Sequence, residues 1–173
     1  MNKKIFSLLA AGAITTSMLS GVVAHAAPGT EKDKAIEVTY DNQTVITDPD
    51  NPTDPQWQVA IPSGINFTDD RREVKADVEL QDAKGGAYTG DAQVKVSVTS
   101  QNEYKLTRGL SKIDYTLGYG SKTMTNGDAE IGTLTQGSAK SEGKAKLGDT
   151  NKATEIGQHT DTLTYRVQNM NNI

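Results

Sequence analysis

The chain has 173 residues, of which 18 are basic and 22 are acidic, and it contains no cysteine. This acidic balance excludes binding to nucleic acid or to anionic lipid through bulk charge, because both need a basic face. An exported chain without cysteine has no disulfide framework, which is typical of bacterial export products and not of small secreted animal domains.

The first 26 residues have the three parts of a secretory signal peptide. Lys3 and Lys4 give a positive start, residues 5–23 are mostly apolar, and residues 24–26 (Ala-His-Ala) form a cleavage site. Removing 26 of 173 residues leaves 147, and losing two lysines leaves 16 basic against 22 acidic residues, a net charge of about −6. No second apolar run approaches the ~20 residues that cross a bilayer. We therefore expect a secreted protein, extracellular or associated with the cell wall, with no integral membrane span after cleavage.

Past the leader, apolar and polar side chains alternate along short segments. Residues 27–34 are polar and are interpreted as a flexible N-terminal arm, and residues 35–173 as a single domain. Successive side chains of a strand point to opposite faces, so two antiparallel sheets packed face to face would bury the apolar stripes. The sequence thus predicts an all-β, antiparallel two-sheet β-sandwich, Ig-like or pilin/adhesin-like, of about 7–10 strands. Alternation is clear in Ile36–Tyr40, Trp57–Ile61, Val74–Leu80, Val94–Val98, Tyr104–Leu106, Ile113–Leu117 and Leu163–Val167.

Turn residues separate these segments. Asp82–Gly90 contains two adjacent glycines, and Asn126-Gly127-Asp128 is typical of a tight hairpin. Residues 138–155 contain two glycines and scattered threonines, which predict a loop with one or two weak strands near Lys144–Leu147.

An acidic, proline-rich stretch at residues 48–55 brings three carboxylates close together in sequence. Calcium takes six to eight oxygen ligands, so a calcium loop is one interpretation. Each proline favours an extended conformation in the residue before it, and this predicts a stiff linker instead. We expect no metal ion and no cofactor.

Candidate catalytic residues are sparse. Asp69 and Asp70 precede two arginines and are interpreted as a charged turn, because glycoside hydrolysis needs two carboxyls across a cleft. His159 is the only histidine after the leader and lies before the last predicted strand, and the sequence has no Gly-x-Ser-x-Gly elbow and no cysteine for it to activate. We therefore predict that the protein is not an enzyme.

Two aromatic residues are candidate ligand contacts. Trp57 opens an alternating strand, which favours core packing. Tyr119 lies between two glycines, which predicts an exposed aromatic face for a sugar or a partner protein.

Several features resemble small secreted surface proteins of Gram-positive bacteria: the Met-Asn-Lys-Lys start, residues 48–55 and the closing segment Gly157–Val167. The closing strand and the acidic proline stretch are similar to those of WxL-type cell-surface proteins. The resemblance implies a β-sandwich surface module that binds peptidoglycan. The family's C-terminal Trp-x-Leu element has no counterpart, since Trp57-Gln58-Val59 lies early in the chain and ends in valine. No functional residue is therefore transferred from the family.

These patterns predict a non-enzymatic secreted or cell-surface module that acts by protein or cell-wall contact, as an adhesin, wall-associated protein or fibre subunit. Exposed strand edges accept further strands, and Ile36–Tyr40 follows the arm, so self-association through an N-terminal strand is predicted. The alternative is a secreted carbohydrate- or small-ligand-binding protein that uses Trp57 or Tyr119.

Overall fold

The structure is a computed structural model, and it describes residues 44–171. The predicted signal peptide, the arm at 27–34 and the strand at Ile36–Tyr40 lie outside the described residues. Within residues 44–171 no helix has the length and apolar character needed to cross a bilayer. Twelve strands and one short 3₁₀ turn, Thr150–Lys152, form the described part: β1 Val45–Thr47, β2 Trp57–Ala60, β3 Glu73–Lys75, β4 Val78–Asp82, β5 Val94–Ser100, β6 Lys105–Arg108, β7 Ser111–Tyr119, β8 Lys122–Thr123, β9 Glu130–Leu134, β10 Lys140–Ser141, β11 Gly143–Leu147 and β12 Leu163–Asn169.

The strands pair in three hydrogen-bonded sheets. Sheet 1 has the order β1-β2-β4-β10, sheet 2 has the order β3-β11-β7-β6 with β8 also on β7, and sheet 3 has the order β12-β5-β9. All of these pairings are antiparallel. The predicted all-β, antiparallel class is confirmed. The strands form three hydrogen-bonded sheets, where the sequence predicted two.

Two neighbouring segments of the chain, β3–β4 and β10–β11, cross between sheet 1 and sheet 2 at the same place. The predicted strand Val74–Leu80 is interrupted after Lys75, so β3 pairs with β11 in sheet 2 and β4 pairs with β10 in sheet 1. At the crossing, Ala76 N donates to Gly143 O at 2.8 Å and Gly143 N donates to the Asp77 carboxylate at 3.0 Å. Hydrogen bonding therefore continues through the bend. A corner at which strands change sheets is a known way to close a sandwich.

All three sheets bury apolar side chains in one hydrophobic core. Alternate residues of β5 and β7 point inward, as the period-2 pattern predicts. The core includes Trp57, Val59 and Leu80 of sheet 1, Leu117, Tyr119 and Ala145 of sheet 2, and Val94, Val96, Val98 and Leu134 of sheet 3.

Several connections agree with the turn chemistry. A tight turn at Thr125–Asp128 contains the predicted Asn-Gly pair. Gly85 takes a left-handed φ of 84° in the turn after β4, where the Asp82 carboxylate accepts hydrogen bonds from two backbone N–H groups at 2.8 Å. The weak strand predicted near Lys144–Leu147 is β11, with three of its five residues buried.

The acidic proline stretch is a hairpin loop and not a linker. β1 and β2 pair antiparallel, with Thr47 opposite Gln58, so residues 48–56 connect them. Asp48 is buried, and its carboxylate accepts from Asp50 N at 3.1 Å and from Asn51 Nδ2 at 3.2 Å. The prediction of a stiff linker was wrong because these local hydrogen bonds curl the chain back. Within the described part of the chain, no group of three or more residues is placed to hold a metal ion.

Candidate strand-binding groove

A groove of about 460 Å³ opens beside the last strand. One wall is the segment that follows β2, with Ile61, Ile65 and Phe67, and the facing wall includes Leu163 and Tyr165 of β12. These five side chains are half-buried and pack against the core. Apolar side chains with this partial exposure offer a surface that a further apolar group can cover.

β12 lies at the edge of sheet 3. It pairs with β5 over its whole length, from Leu163 opposite Ser100 to Asn169 opposite Val94. On its other side β12 has no ladder partner among residues 44–171. An edge strand presents backbone N–H and C=O groups that can pair with an added strand. The groove thus combines a free backbone edge with an apolar lining.

The hairpin of β1 and β2 lies along this edge, and two contacts define its direction. At one end Asn169 Nδ2 donates to the Asp50 carboxylate at 3.0 Å. At the other end Ile61 lines the groove with Leu163, and Ile61 N donates to Thr44 O at 2.8 Å. From Thr44 towards Asp50, β1 therefore runs in the same direction as β12. β1 is also the edge strand of sheet 1.

Asp161 fixes the entry to β12 through four hydrogen bonds. Its Oδ2 accepts from Ser100 Oγ and from Tyr115 OH, each at 2.6 Å. Its Oδ1 accepts from the backbone N–H groups of Asn102, at 3.0 Å, and Thr162, at 2.7 Å. Hydrogen bonds to a carboxylate are stronger than neutral ones, so this residue anchors β12 to two neighbouring segments.

Tyrosines line the inner side of β12. Tyr119 OH and Tyr165 OH lie 3.0 Å apart, and Tyr104 OH donates to Val98 O at 3.2 Å. The Tyr104 and Tyr115 rings pack edge to face with centroids 5.8 Å apart. Burial raises the pKa of Tyr104 to about 12 and raises the pKa of Tyr115, Tyr119 and Tyr165. These hydroxyls stay protonated at neutral pH and act as hydrogen-bonding groups.

The loop before β12 is fastened to the β6–β7 hairpin through His159. His159 Nε2 lies 2.7 Å from Ser111 Oγ, and His159 Nδ1 lies 3.0 Å from Gly157 O. A serine and a histidine at this distance resemble an activated nucleophile. Ser111 is only 1% exposed and also accepts from Thr154 N at 3.0 Å, so a substrate has no access to it. The pair therefore holds the loop. The contact joins residues 48 positions apart, so the sequence had no local signal for it.

The two predicted ligand contacts lie elsewhere. Trp57 is 2% exposed and Tyr119 is 4% exposed, and both belong to the core. Tyr119 is held inside by Tyr165 despite its flanking glycines. A role for either residue in ligand contact stays a prediction. Asp69 and Asp70 are exposed and lie at a bend before β3, outside the groove. Sequence reasoning did not find the groove itself, because its walls come from segments about a hundred residues apart.

No family model and no curated protein matches this sequence. The WxL resemblance therefore stays a prediction. Among solved structures, the chain is similar to the P pilus rod subunit PapA, with 13% identity and a TM-score of 0.40 over 65% of this chain and 99% of that one. It is also similar to a chaperone–usher pilus structure, with 14% identity and a TM-score of 0.38 over 85% of this chain and 100% of that one. The fold described above is defined by this chain's own strands, and we take no function from these two likenesses.

Proposed function

We propose that this domain is a non-enzymatic contact module that binds an extended polypeptide along the free edge of β12, and that copies of the chain assemble in this way outside the cell. The observation that supports the proposal is the groove beside β12. It offers an unpaired strand edge and half-buried apolar side chains in the same place.

An added strand would satisfy both features. Its backbone would pair with β12, and its alternate side chains would cover Leu163, Tyr165 and Val167, which all point to one face. Each apolar side chain that is fully buried contributes about 1.5–3 kcal/mol, so burial of three such residues favours binding of the strand.

The chain contains a segment of this type. Ile36, Val38 and Tyr40 alternate with Glu37 and Thr39, just upstream of Thr44. Donation of this segment from one copy to the groove of the next is a head-to-tail contact. Head-to-tail contacts that do not close form open filaments, which suits a fibre subunit.

The test is self-association of the processed chain, measured by light scattering after size exclusion over a range of concentrations. We expect species larger than the monomer. Val38→Asp places a charge on the buried face of the donated strand and should leave the monomer. Thr39→Asp, which adds the same charge on the opposite face, is the matched control and should associate like the unchanged chain.

Two results would contradict the proposal. One is a strict monomer for the unchanged chain at every concentration. The other is equal association of the Val38→Asp and Thr39→Asp variants, which would place the contact away from the groove.

A further inference from the structure

We infer that Arg166 sets the direction and register of the added strand by pairing with Glu37 of a second copy, with the strand antiparallel to β12. This inference rests on the proposed function. Arg166 lies in the middle of β12 and is exposed on the face opposite to Tyr165. Its side chain makes no ion pair and no hydrogen bond with the described part of the chain. Glu130 lies in β9, on the opposite side of β5 from β12, and forms an ion pair with Lys95 at 2.9 Å, not with Arg166.

The alternation of side chains limits the registers. Ile36, Val38 and Tyr40 must face the groove together with Leu163, Tyr165 and Val167, so the added strand can shift only by two residues at a time. Centred on Tyr165, an antiparallel strand places Val38 opposite Tyr165, and Glu37 then lies opposite Arg166. The parallel strand with the same centre places Glu37 opposite Thr164.

Shifted registers lose the charge pair. An antiparallel shift by two residues places Glu37 opposite Thr164 or opposite Gln168, and neither carries a charge. Opposite charges directly across a ladder stabilise the pairing. Arg166 therefore favours one antiparallel register over its neighbours.

The direction of β1 supports the same orientation. Because β1 and β12 run in the same direction, a strand antiparallel to β12 is also antiparallel to β1. Antiparallel pairing is slightly more stable per residue than parallel pairing.

The donor is a second copy, because the sequence just upstream of Thr44 does not favour a tight turn back into the chain's own groove. For the same chain to return, it would have to reverse within Asp41-Asn42-Gln43. Three-residue hairpin loops usually end in a left-handed residue, which favours glycine or asparagine, and here that position is Gln43. A strand from a neighbour needs no such reversal.

Arg166 has another possible role, which the same experiment tests. Charged residues on edge strands often prevent unspecific pairing. In that role, removal of the charge would increase association. If Arg166 selects its partner strand, removal of the charge weakens association.

Charge reversal is the first arm of the experiment. Arg166→Glu and Glu37→Arg should each weaken self-association roughly 3- to 10-fold, because each replaces an attraction with a repulsion. The double variant should recover most of the lost association. Lys112→Glu makes the same charge change on an exposed residue of β7 and should leave association unchanged.

Cross-linking is the second arm, and the absence of natural cysteine makes it specific. A Glu37→Cys chain mixed with an Arg166→Cys chain should form a disulfide-linked dimer under mild oxidation. A Thr39→Cys chain should cross-link to Arg166→Cys more slowly, because Thr39 lies opposite Arg166 only in the parallel strand or in the antiparallel register that places Glu37 opposite Gln168.

The outcomes separate this inference from the proposed function. If Val38→Asp abolishes assembly but the double charge variant shows no recovery, assembly through the groove stands and the register is wrong. A cross-link formed within a single chain that carries both cysteines, with none between chains, would overturn the second copy as donor. Stronger association of Arg166→Glu would assign the residue to preventing unspecific pairing and would also overturn the inference.

Discussion

Replacement of Asp161 by alanine should destabilise the domain more than any other single carboxylate change that we can identify in residues 44–171. The carboxylate accepts four hydrogen bonds, two from hydroxyls and two from backbone N–H groups. Its hydroxyl partners belong to Ser100 and Tyr115, which are only 4% and 6% exposed. After the change these donors would lose their carboxylate acceptor.

The size of the effect follows from the unpaired groups. A buried donor that loses its acceptor costs about 1–3 kcal/mol. Asp161 itself is half-buried beside the groove, so water can replace part of what is lost. We expect Asp161→Ala to lower the free energy of unfolding by about 3–4 kcal/mol, and Asp161→Asn, which keeps one acceptor oxygen, by about half as much.

Equilibrium unfolding in urea measures this change, and Trp57 reports it, because it is the only tryptophan and is buried. Asp69→Ala removes an exposed carboxylate and is the matched control, with an expected change within about 0.5 kcal/mol. If Asp161→Ala and Asp69→Ala unfold at the same urea concentration, the hydrogen bonds assigned to Asp161 do not stabilise the domain.

Three further predictions concern the core and the tyrosines. Gly143→Ala would place a Cβ 2.5 Å from Tyr119 Cε1 and closer still to the carbonyl oxygen of Ala76. We expect the free energy of unfolding in urea to fall by about 2–3 kcal/mol. Gly137→Ala is the control, because a Cβ there has no atom within 4 Å, and it should change the free energy of unfolding little. Leu117→Ala should cost about 2–5 kcal/mol because Leu117 is fully buried, and Leu110→Ala, at a residue 92% exposed, should not; equal midpoints would contradict the assigned core. The pKa of Tyr104 is raised to about 12 in the folded state. The stabilisation that its protonated hydroxyl provides is therefore complete below pH 10 and declines between pH 10 and about 12. Unfolding free energies that stay constant over that interval would refute this.

The long strands were predictable from the sequence because their signal is local. β5 and β7 alternate strictly, and the Asn-Gly turn before β9 has the expected chemistry. β9 and β10 gave no such signal, since Glu130–Leu134 contains one inward leucine and β10 has two residues. Both strands are stabilised by hydrogen bonds to neighbouring strands, β9 to β5 and β10 to β4.

The break in the predicted strand Val74–Leu80 was also beyond the sequence. The apolar alternation continues through Ala76 and Val78 although the chain leaves one sheet for another. At the bend, Gly143 of the partner strand approaches Ala76 too closely for any side chain, and the sequence around Ala76 does not show this. Likewise, nothing near Asp161 in sequence indicates that Ser100 and Tyr115 converge on it.

The crossing of β3–β4 and β10–β11 has a consequence for how the domain unfolds. Both segments cross between sheet 1 and sheet 2 at the same level. Hydrogen bonds lie on either side of the bend, and an ion pair joins Lys140 to Asp77 at 2.9 Å. Local unfolding of this ladder in one sheet therefore also breaks hydrogen bonds in the other sheet. Amide protons of Leu80 and Ala145, although they belong to different sheets, should therefore exchange with solvent at the same free-energy cost, as members of one cooperative unit.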